Sequence, residues 1–242
     1  MGFQPPESDL GARMSMFRPA WQAVVDAAGI EKGTSLLDLG CGDGGFCAFA
    51  AERGAIVHGI DAEPDSIAQA IQAVPGGEFR LGLMETLPWS DATFDVVSSF
   101  NAMQYALDPE LAMTEASRVL RIGGRLAVCK WAPPAENQFF AFLAAVGANG
   151  VHAQPPAGDD PLQGAIRAAH LEVLVTGDAP AAIEMADEAA LEESLSRAGI
   201  VPEIGASTQA PSVIAAAAPY RQADGSYRFD NHLRFWVLRR SW

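Results

Sequence analysis

Between Leu36 and Phe46 the chain reads LLDLGCGDGGF, an apolar run that opens into four glycines within six positions and then turns apolar again. Few folds accommodate that order. A strand that must bend sharply into a helix while leaving its backbone open to a ligand needs residues that tolerate positive φ and carry no Cβ. Gly40, Gly42 and Gly45 fit the spacing of a dinucleotide loop, whereas Gly40, Gly42 and Gly44 do not require it. The glycines therefore predict a strand, a ligand loop and a helix, and leave the ligand open.

The surrounding pattern repeats the same alternation. SLLDL leads into GGFCAFAAERG, where Phe46, Phe49 and Ala50 share a helical face and Gly54 stops the helix. AIVHGI reads as a second strand, EPDSIAQAIQAV as a helix with Pro64 near its start, GEFRLGL as a third strand and TFDVVSSF as a fourth. DPELAMTEASRVLRIGG reads as a helix capped by Asp108 and ended at Gly123-Gly124, and RLAVCKW as a fifth strand. Strands alternating with helices predict a parallel α/β sheet with right-handed crossovers.

Beyond Trp131 the rhythm breaks. ENQFFAFLAAVG is predicted helical, residues 147–164 a long loop, LEVLVTG a strand, DEAALEESLSRAG a helix capped near Asp187, APSVIAAAAPYR a weaker helix, and SYRFDNHLRFWVLRR one long terminal strand. Upstream, MSMFRPAWQAVVDAAG reads as a helix. No repeat or linker separates two domains, so one domain is expected: an N-terminal helical segment (1–34), a ligand-binding core (35–131), a cap-like insertion including the sixth strand (132–225) and a terminal strand (226–242).

Carboxylates narrow the ligand. Asp38 lies two residues before Gly40 and Asp43 lies inside the loop. Close to a diphosphate they would repel it, and they suit a cationic ligand better; alternatively Asp38 pins the loop backbone, which either ligand allows. Asp61, at the end of the second strand and 21 positions past Gly40, stands where an acid accepts both ribose hydroxyls of an adenosine. Its other reading is a cap for the following helix.

Together, LLDLGCGDG, GIDAEPDSIAQA, LMETLPWSDATFDVVSSFNAMQYALDP and EASRVLRIGGRLAV resemble the successive motifs of class I S-adenosylmethionine-dependent methyltransferases over roughly Trp21 to Trp131. The resemblance implies a Rossmann-like doubly wound sheet of about seven strands, mostly parallel with an antiparallel last strand. It also implies S-adenosylmethionine as cofactor. Gly40 and Gly42 would lie beside its methionine portion, Asp61 on the ribose, Leu83, Met84 and Glu85 around the adenine, and Asn101, Ala102 and Gln104 under the ligand. Asp38, Cys41 and Ala62 complete the expected cofactor set. The family often carries Asp where this chain has Leu83, which shifts adenine recognition toward backbone contacts and packing by Met84 and Leu87.

A catalytic residue is harder to name. His58 lies inside an apolar strand, and His170 and His232 read as structural. His152, in the loop GVHAQPP, is the one candidate general base, the alternative being simple exposure to solvent. The Gly-, Pro- and Asp-rich segment 147–164 is expected to be a mobile cover over the acceptor. The apolar, Ala-rich region from 132 to 223, with Phe139, Phe140, Phe142 and Tyr220, suits a small-molecule acceptor, and its composition resembles the tails of small-molecule methyltransferases, biosynthetic ones included.

Composition excludes other classes. The net charge of −14, with 16 Lys and Arg and no basic cluster, argues against a nucleic-acid partner or an anionic membrane surface. No run approaches the ~18 apolar residues of a membrane span, and the N-terminus lacks a secretion signal. Cys41, Cys47 and Cys129 lack metal spacing and suit a reducing cytoplasm. The expected protein is a cytoplasmic methyltransferase of a small molecule, without metal. Its rivals are a cofactor-binding cyclase or scaffold that transfers no methyl, and a nicotinamide-dependent oxidoreductase.

Overall fold

The computed structural model describes residues 10–146, 161–169, 171–197 and 210–241. In chain order the elements are α1 (Leu10–Ala28), β1 (Ser35–Leu39), α2 (Gly45–Ala51), β2 (Ile56–Asp61), α3 (Pro64–Ala73), β3 (Glu78–Leu81), β4 (Phe94–Phe100), α4 (Pro109–Val119) and β5 (Leu120–Trp131). They continue with α5 (Gln138–Ala145), α6 (Pro161–Ala168), β6 (Glu172–Pro180), β7 (Ile183–Met185), α7 (Glu188–Arg197), α8 (Ala210–Ala217), β8 (Tyr227–Phe229) and β9 (His232–Arg239).

Seven strands form one sheet in the order β3-β2-β1-β4-β5-β9-β6. The pairs β1–β2, β2–β3, β1–β4 and β4–β5 are parallel, and β9 is antiparallel to β5, as expected for the last strand. The chain winds outward from β1 to β3, then crosses back to β4 and winds the other way. The reversal leaves the carboxyl ends of β1 and β4 side by side with loops diverging from them, the place where doubly wound sheets bind ligands.

Two compact units result, one from Ala20–Trp131, Ala157–Ala179 and Leu233–Trp242, the other from Met1–Pro19, Ala132–Pro156 and Pro180–His232. The first is built on the seven-stranded sheet, with Leu37, Leu39, Val97, Met113, Leu126 and Trp236 in its core. The second holds the pair β7–β8 and an aromatic cluster: Phe229 lies 5.1 Å from Phe139, 5.2 Å from Phe142 and 4.5 Å from Tyr220 between ring centroids. β6, expected in the cap, hydrogen-bonds at the edge of the main sheet. Among the described residues no helix is long and apolar enough to cross a membrane.

Several local expectations need correction. The helix α4 starts as predicted, with Asp108 Oδ1 accepting from the N–H groups of Glu110 and Leu111 (3.1 and 3.0 Å), but it ends at Val119 and not at the glycine pair. Gly123 and Gly124 instead belong to β5, where the Gly123 N–H donates to Arg240 O (2.7 Å). The end of the long loop is helical: α6 begins at Pro161, and Leu162, Ala165 and Ile166, one helical face, join the core that holds Met113 and Ala116 of α4. The remainder of that segment, including His152, lies outside the described residues.

The single terminal strand is in fact two, and β7 was not foreseen. The break falls at Asn231, which is buried, as is Asn137. Asn231 Oδ1 accepts from the Phe139 N–H (3.0 Å) and its Nδ2 donates to Phe229 O (3.1 Å). Asn137 Oδ1 accepts from the His232 N–H (2.8 Å) and its Nδ2 donates to Ala132 O (2.8 Å). Two side-chain amides thus satisfy backbone groups where β8 gives way to β9 and where the first turn of α5 leaves an N–H unpaired. Replacing Asn231 by Ala strands buried donors and acceptors, at about 1–3 kcal/mol for each group left bare. A urea titration should show a lower midpoint with this variant; an unchanged midpoint would mean that water reaches these groups.

Candidate functional site

All of the predicted ligand residues within the core are described. The loop after β1 lies against β2, because the N–H groups of Gly40 and Cys41 both donate to Ile60 O (2.8 and 3.0 Å). Gly40 has φ +68°, and a Cβ there would sit 2.3 Å from the Ala102 Cβ and 3.6 Å from Met84 Cε. Backbone of the β1 loop therefore meets the loop after β4 with no room between them. Gly42 has φ +54° but open space where its Cβ would be, so its glycine answers to backbone conformation and to exposure. Asp43 does not face outward unpaired, since its Oδ1 accepts from the Gly45 N–H (3.2 Å) at the entrance to α2.

Asp61 joins the loop to the next helix. Its Oδ2 accepts from the Gly42 N–H (2.8 Å) and its Oδ1 from the Glu63 N–H (3.0 Å). It is half-buried, and each carboxylate oxygen keeps a lone pair for a further donor. The two sequence readings of Asp61, ligand acceptor and helix-start residue, are compatible in this geometry.

Asp38 is 1% exposed at the carboxyl end of β1. Its Oδ1 accepts from Ser98 Oγ on β4 (2.7 Å) and its Oδ2 lies 3.8 Å from the Cys47 thiol on α2. Burial pushes its carboxyl from the ordinary 3.8 up to about 7; the Ser98 and Cys47 bonds oppose the rise and the Asp61 carboxylate adds to it. Burial likewise drives the Cys41 and Cys47 thiols upward, with the Asp38 carboxylate reinforcing both, so neither is a nucleophile near neutral pH. Ser98 escaped the sequence reading, although a polar pair inside the apolar run VVSSF was a visible signal. Its neighbour Ser99 donates to Leu39 O (3.0 Å) and ties β4 to β1.

The remaining residues fall at the ends of β2, β3 and β4. Ala62 is exposed beside Asp61, Leu83 is 44% exposed, and Met84 is half-buried. Glu85 is buried, and its Oε1 accepts from the N–H groups of Leu107 and Asp108 (2.7 and 3.3 Å), so it fastens the β3 loop to the start of α4. Asn101 adopts φ +53°, a conformation it tolerates better than most residues, and its Oδ1 accepts from Gln104 Nε2 (2.8 Å). Gln104 Oε1 is buried without a hydrogen-bond partner. A buried acceptor lacking a donor is costly, and a ligand donor would relieve it. His58 is structural, its Nδ1 3.3 Å from Leu36 O and its Nε2 3.8 Å from Glu78; His232 Nε2 lies 3.5 Å from Glu136.

A family model described as Methyltransferase domain matches residues 37–128, the stretch that carries this loop, Asp61 and the β4 segment. Residues 37–128 are thus similar to a methyltransferase domain, in line with the resemblance of the sequence to class I S-adenosylmethionine-dependent methyltransferases. An uncharacterized methyltransferase of Synechocystis is 32% identical over 125 residues, covering 51% of this chain and 59% of that protein. The chain spans 32% and 59% of the length of the first two curated relatives it matches. Among solved structures, a candidate methyltransferase of Bacillus halodurans superposes with a TM-score of 0.63 at 17% identity, covering 91% of this chain and 98% of that one. The [4+2]-cyclase SpnF superposes with a TM-score of 0.61 at 20% identity, covering 99% and 88%.

The residues fit the cofactor that the methyltransferase likeness implies: spare acceptor capacity on Asp61, glycines at 40 and 42 and an unsatisfied Gln104 Oε1. Asp61→Ala removes charge-assisted hydrogen bonds worth roughly 1.5–3 kcal/mol, so S-adenosylmethionine should bind about ten- to hundredfold more weakly by calorimetry. An unchanged dissociation constant would show that Asp61 serves only the backbone of the loop and α3.

Proposed function

We propose that the protein is an S-adenosylmethionine-dependent methyltransferase acting on a small-molecule acceptor. The observation that carries this reading is Asp61 holding the glycine loop through Gly42 while keeping acceptor capacity, at the reversal point of a methyltransferase sheet. The bound cofactor supplies a methyl group on a sulfonium, and the protein's task is to align it with the acceptor and keep water away. Asp61 would accept from the ribose hydroxyls, Gly40 and Gly42 would let backbone approach the methionine portion, and Met84 would pack beside the adenine. A base is needed only if the acceptor must lose a proton, and His152 is the side chain we put forward for that role.

The acidic balance, with no basic cluster, supports a small acceptor over nucleic acid. We assign acceptor recognition to the residues beyond the family match, although Phe139, Phe142 and Phe229 there are buried in their own aromatic cluster and complete a core. The superposition with SpnF is consistent with one alternative, a cyclase that keeps the cofactor fold for another reaction. Native mass spectrometry of freshly purified protein, followed by calorimetry, tests the reading. S-adenosylmethionine and its demethylated product should bind and NAD or NADP should not; binding of the dinucleotides alone would sink it. Formation of S-adenosylhomocysteine on supplying a library of small acceptors separates the methyltransferase from the cyclase.

A further inference from the structure

We propose that Asn101 and Gln104 together receive a hydroxyl group of the methyl acceptor, and so select for acceptor molecules that carry one. This rests on the methyltransferase reading above and names the chemistry its small molecule must have.

Asn101 follows directly on β4. Its backbone turns left-handed at φ +53° while its N–H still donates to Cys129 O on β5 (2.7 Å). A residue other than glycine held at positive φ is strained, and the tie to β5 fixes where its side chain leaves the sheet. Its Oδ1 accepts from Gln104 Nε2 (2.8 Å), in the 3-10 turn Met103–Tyr105. Each amide therefore uses one end on the other. Among the described residues Asn101 Nδ2 donates to nothing, and Gln104 Oε1 is buried without a donor. Turning both amides end for end exchanges the roles but leaves the same result: one free donor and one free acceptor, both uncharged, at the carboxyl end of β4.

A neutral donor beside a neutral acceptor matches a group that accepts and donates at once, and a hydroxyl does so from a single atom. An ether or a carboxylate would leave Gln104 Oε1 bare, and an ammonium would leave Asn101 Nδ2 bare. Leaving a buried acceptor bare is costly, and a hydroxyl donor relieves that cost. The position of the pair joins it to both halves of the reaction. Ala102, between the two residues, meets the glycine loop, since a Cβ on Gly40 would sit 2.3 Å from its own. Met103, in the same turn as Gln104, is buried in the core that Leu162, Ala165 and Ile166 of α6 join, and α6 lies beyond the family match. The turn thus stands between the loop expected to hold the cofactor and the part of the chain to which we assign acceptor recognition. An amide takes up no proton near neutral pH, so the pair orients the hydroxyl and does not deprotonate it.

The test is a ligand-observed NMR titration of phenol and of toluene, which carries a methyl group in place of the hydroxyl, with and without saturating S-adenosylhomocysteine. The protein loaded with S-adenosylhomocysteine should bind phenol about tenfold more tightly than toluene. The preference should fall to about twofold or less in Gln104→Met, which keeps the length of the side chain and removes its amide. It should fall likewise in Asn101→Gly, which suits the positive φ and removes both the free donor and the bond that holds Gln104. The two variants break the pair from opposite ends, so a failure of one to fold leaves the other to decide. Equal binding of phenol and toluene, no binding of phenol, or a preference that survives in either folded variant overturns the proposal. A preference present in the ligand-free protein and abolished by S-adenosylhomocysteine also overturns it, because the pair then holds the cofactor. If S-adenosylhomocysteine does not bind at all, the cofactor reading falls, and the phenol preference of the ligand-free protein still decides this proposal.

Discussion

Gly40→Ala is expected to weaken S-adenosylmethionine binding by more than a hundredfold and to lower the melting temperature by several degrees. Two penalties combine at this position. The backbone lies at φ +68°, where an L side chain costs on the order of 1 kcal/mol, and the new methyl group would sit 2.3 Å from the Ala102 Cβ. That separation is far inside van der Waals contact, and neither partner is the flexible end of a long side chain. The loops after β1 and β4 must part, which moves Gly42 away from Asp61 and disturbs Asn101 and Gln104 together. A loss of more than about 2.7 kcal/mol in binding corresponds to the hundredfold. Calorimetry and a thermal melt measure both effects, and the double variant with Ala102→Gly should recover part of the melting temperature by removing the overlap while leaving the strained φ. A single variant that binds like the native protein would show that the two loops are not packed as described.

Asp38→Asn should raise the stability of the ligand-free protein at pH 8 by roughly 1–3 kcal/mol, or several degrees in melting temperature. The sign follows from the direction of the shift. The folded state raises the carboxyl from 3.8 to about 7, so it binds the proton more tightly than the unfolded chain does. Stability from this group is intact below about pH 4, declines as pH rises, and is lost once pH has passed 7. Asn keeps an oxygen for the Ser98 hydroxyl and never ionises, so the decline disappears. Melts from pH 5 to pH 8 should therefore diverge between the two proteins with rising pH. Parallel curves would mean that Asp38 is solvated or paired in a way that lets it ionise freely.

Much of the core was legible because short-range chemistry decides it. Asp108 announces α4, Pro64 the start of α3, and Asp61 sits where the strand pattern says β2 must end. What escaped notice depends on partners distant in sequence. Within SYRFDNHLRFW the Asp230-Asn231 pair, both poor strand formers, is the one local sign of a break; what fixes the interruption is Phe139 and Asn137, 92 and 95 positions from their partners Asn231 and His232. The three residues of β7 form a strand only because β8 pairs with them, Glu184 facing Arg228. Glu85, expected near the adenine, turns its carboxylate to the start of α4, a choice set by where residues 107 and 108 arrive. In α6 the apolar positions are too few to outweigh the glycines and prolines before them, and burial against the sheet's helices makes the element.

β5 ends at Trp131 and its partner β9 pairs with it from Leu233, these two residues facing each other, with the Ala132 N–H donating to His232 O (3.2 Å). Departure and return thus share one doorway, only about 5 Å wide as in any antiparallel pair. Material between the doorposts can be lengthened, shortened or replaced during descent without moving a cofactor-loop residue, provided its two ends still meet as paired strands. One item is not free to vary: β6 lies inside that excursion and covers β9, so any replacement must carry an edge strand of its own or leave β9 bare. A change in the excursion would therefore leave the glycine loop and Asp61 in place while altering what surrounds them.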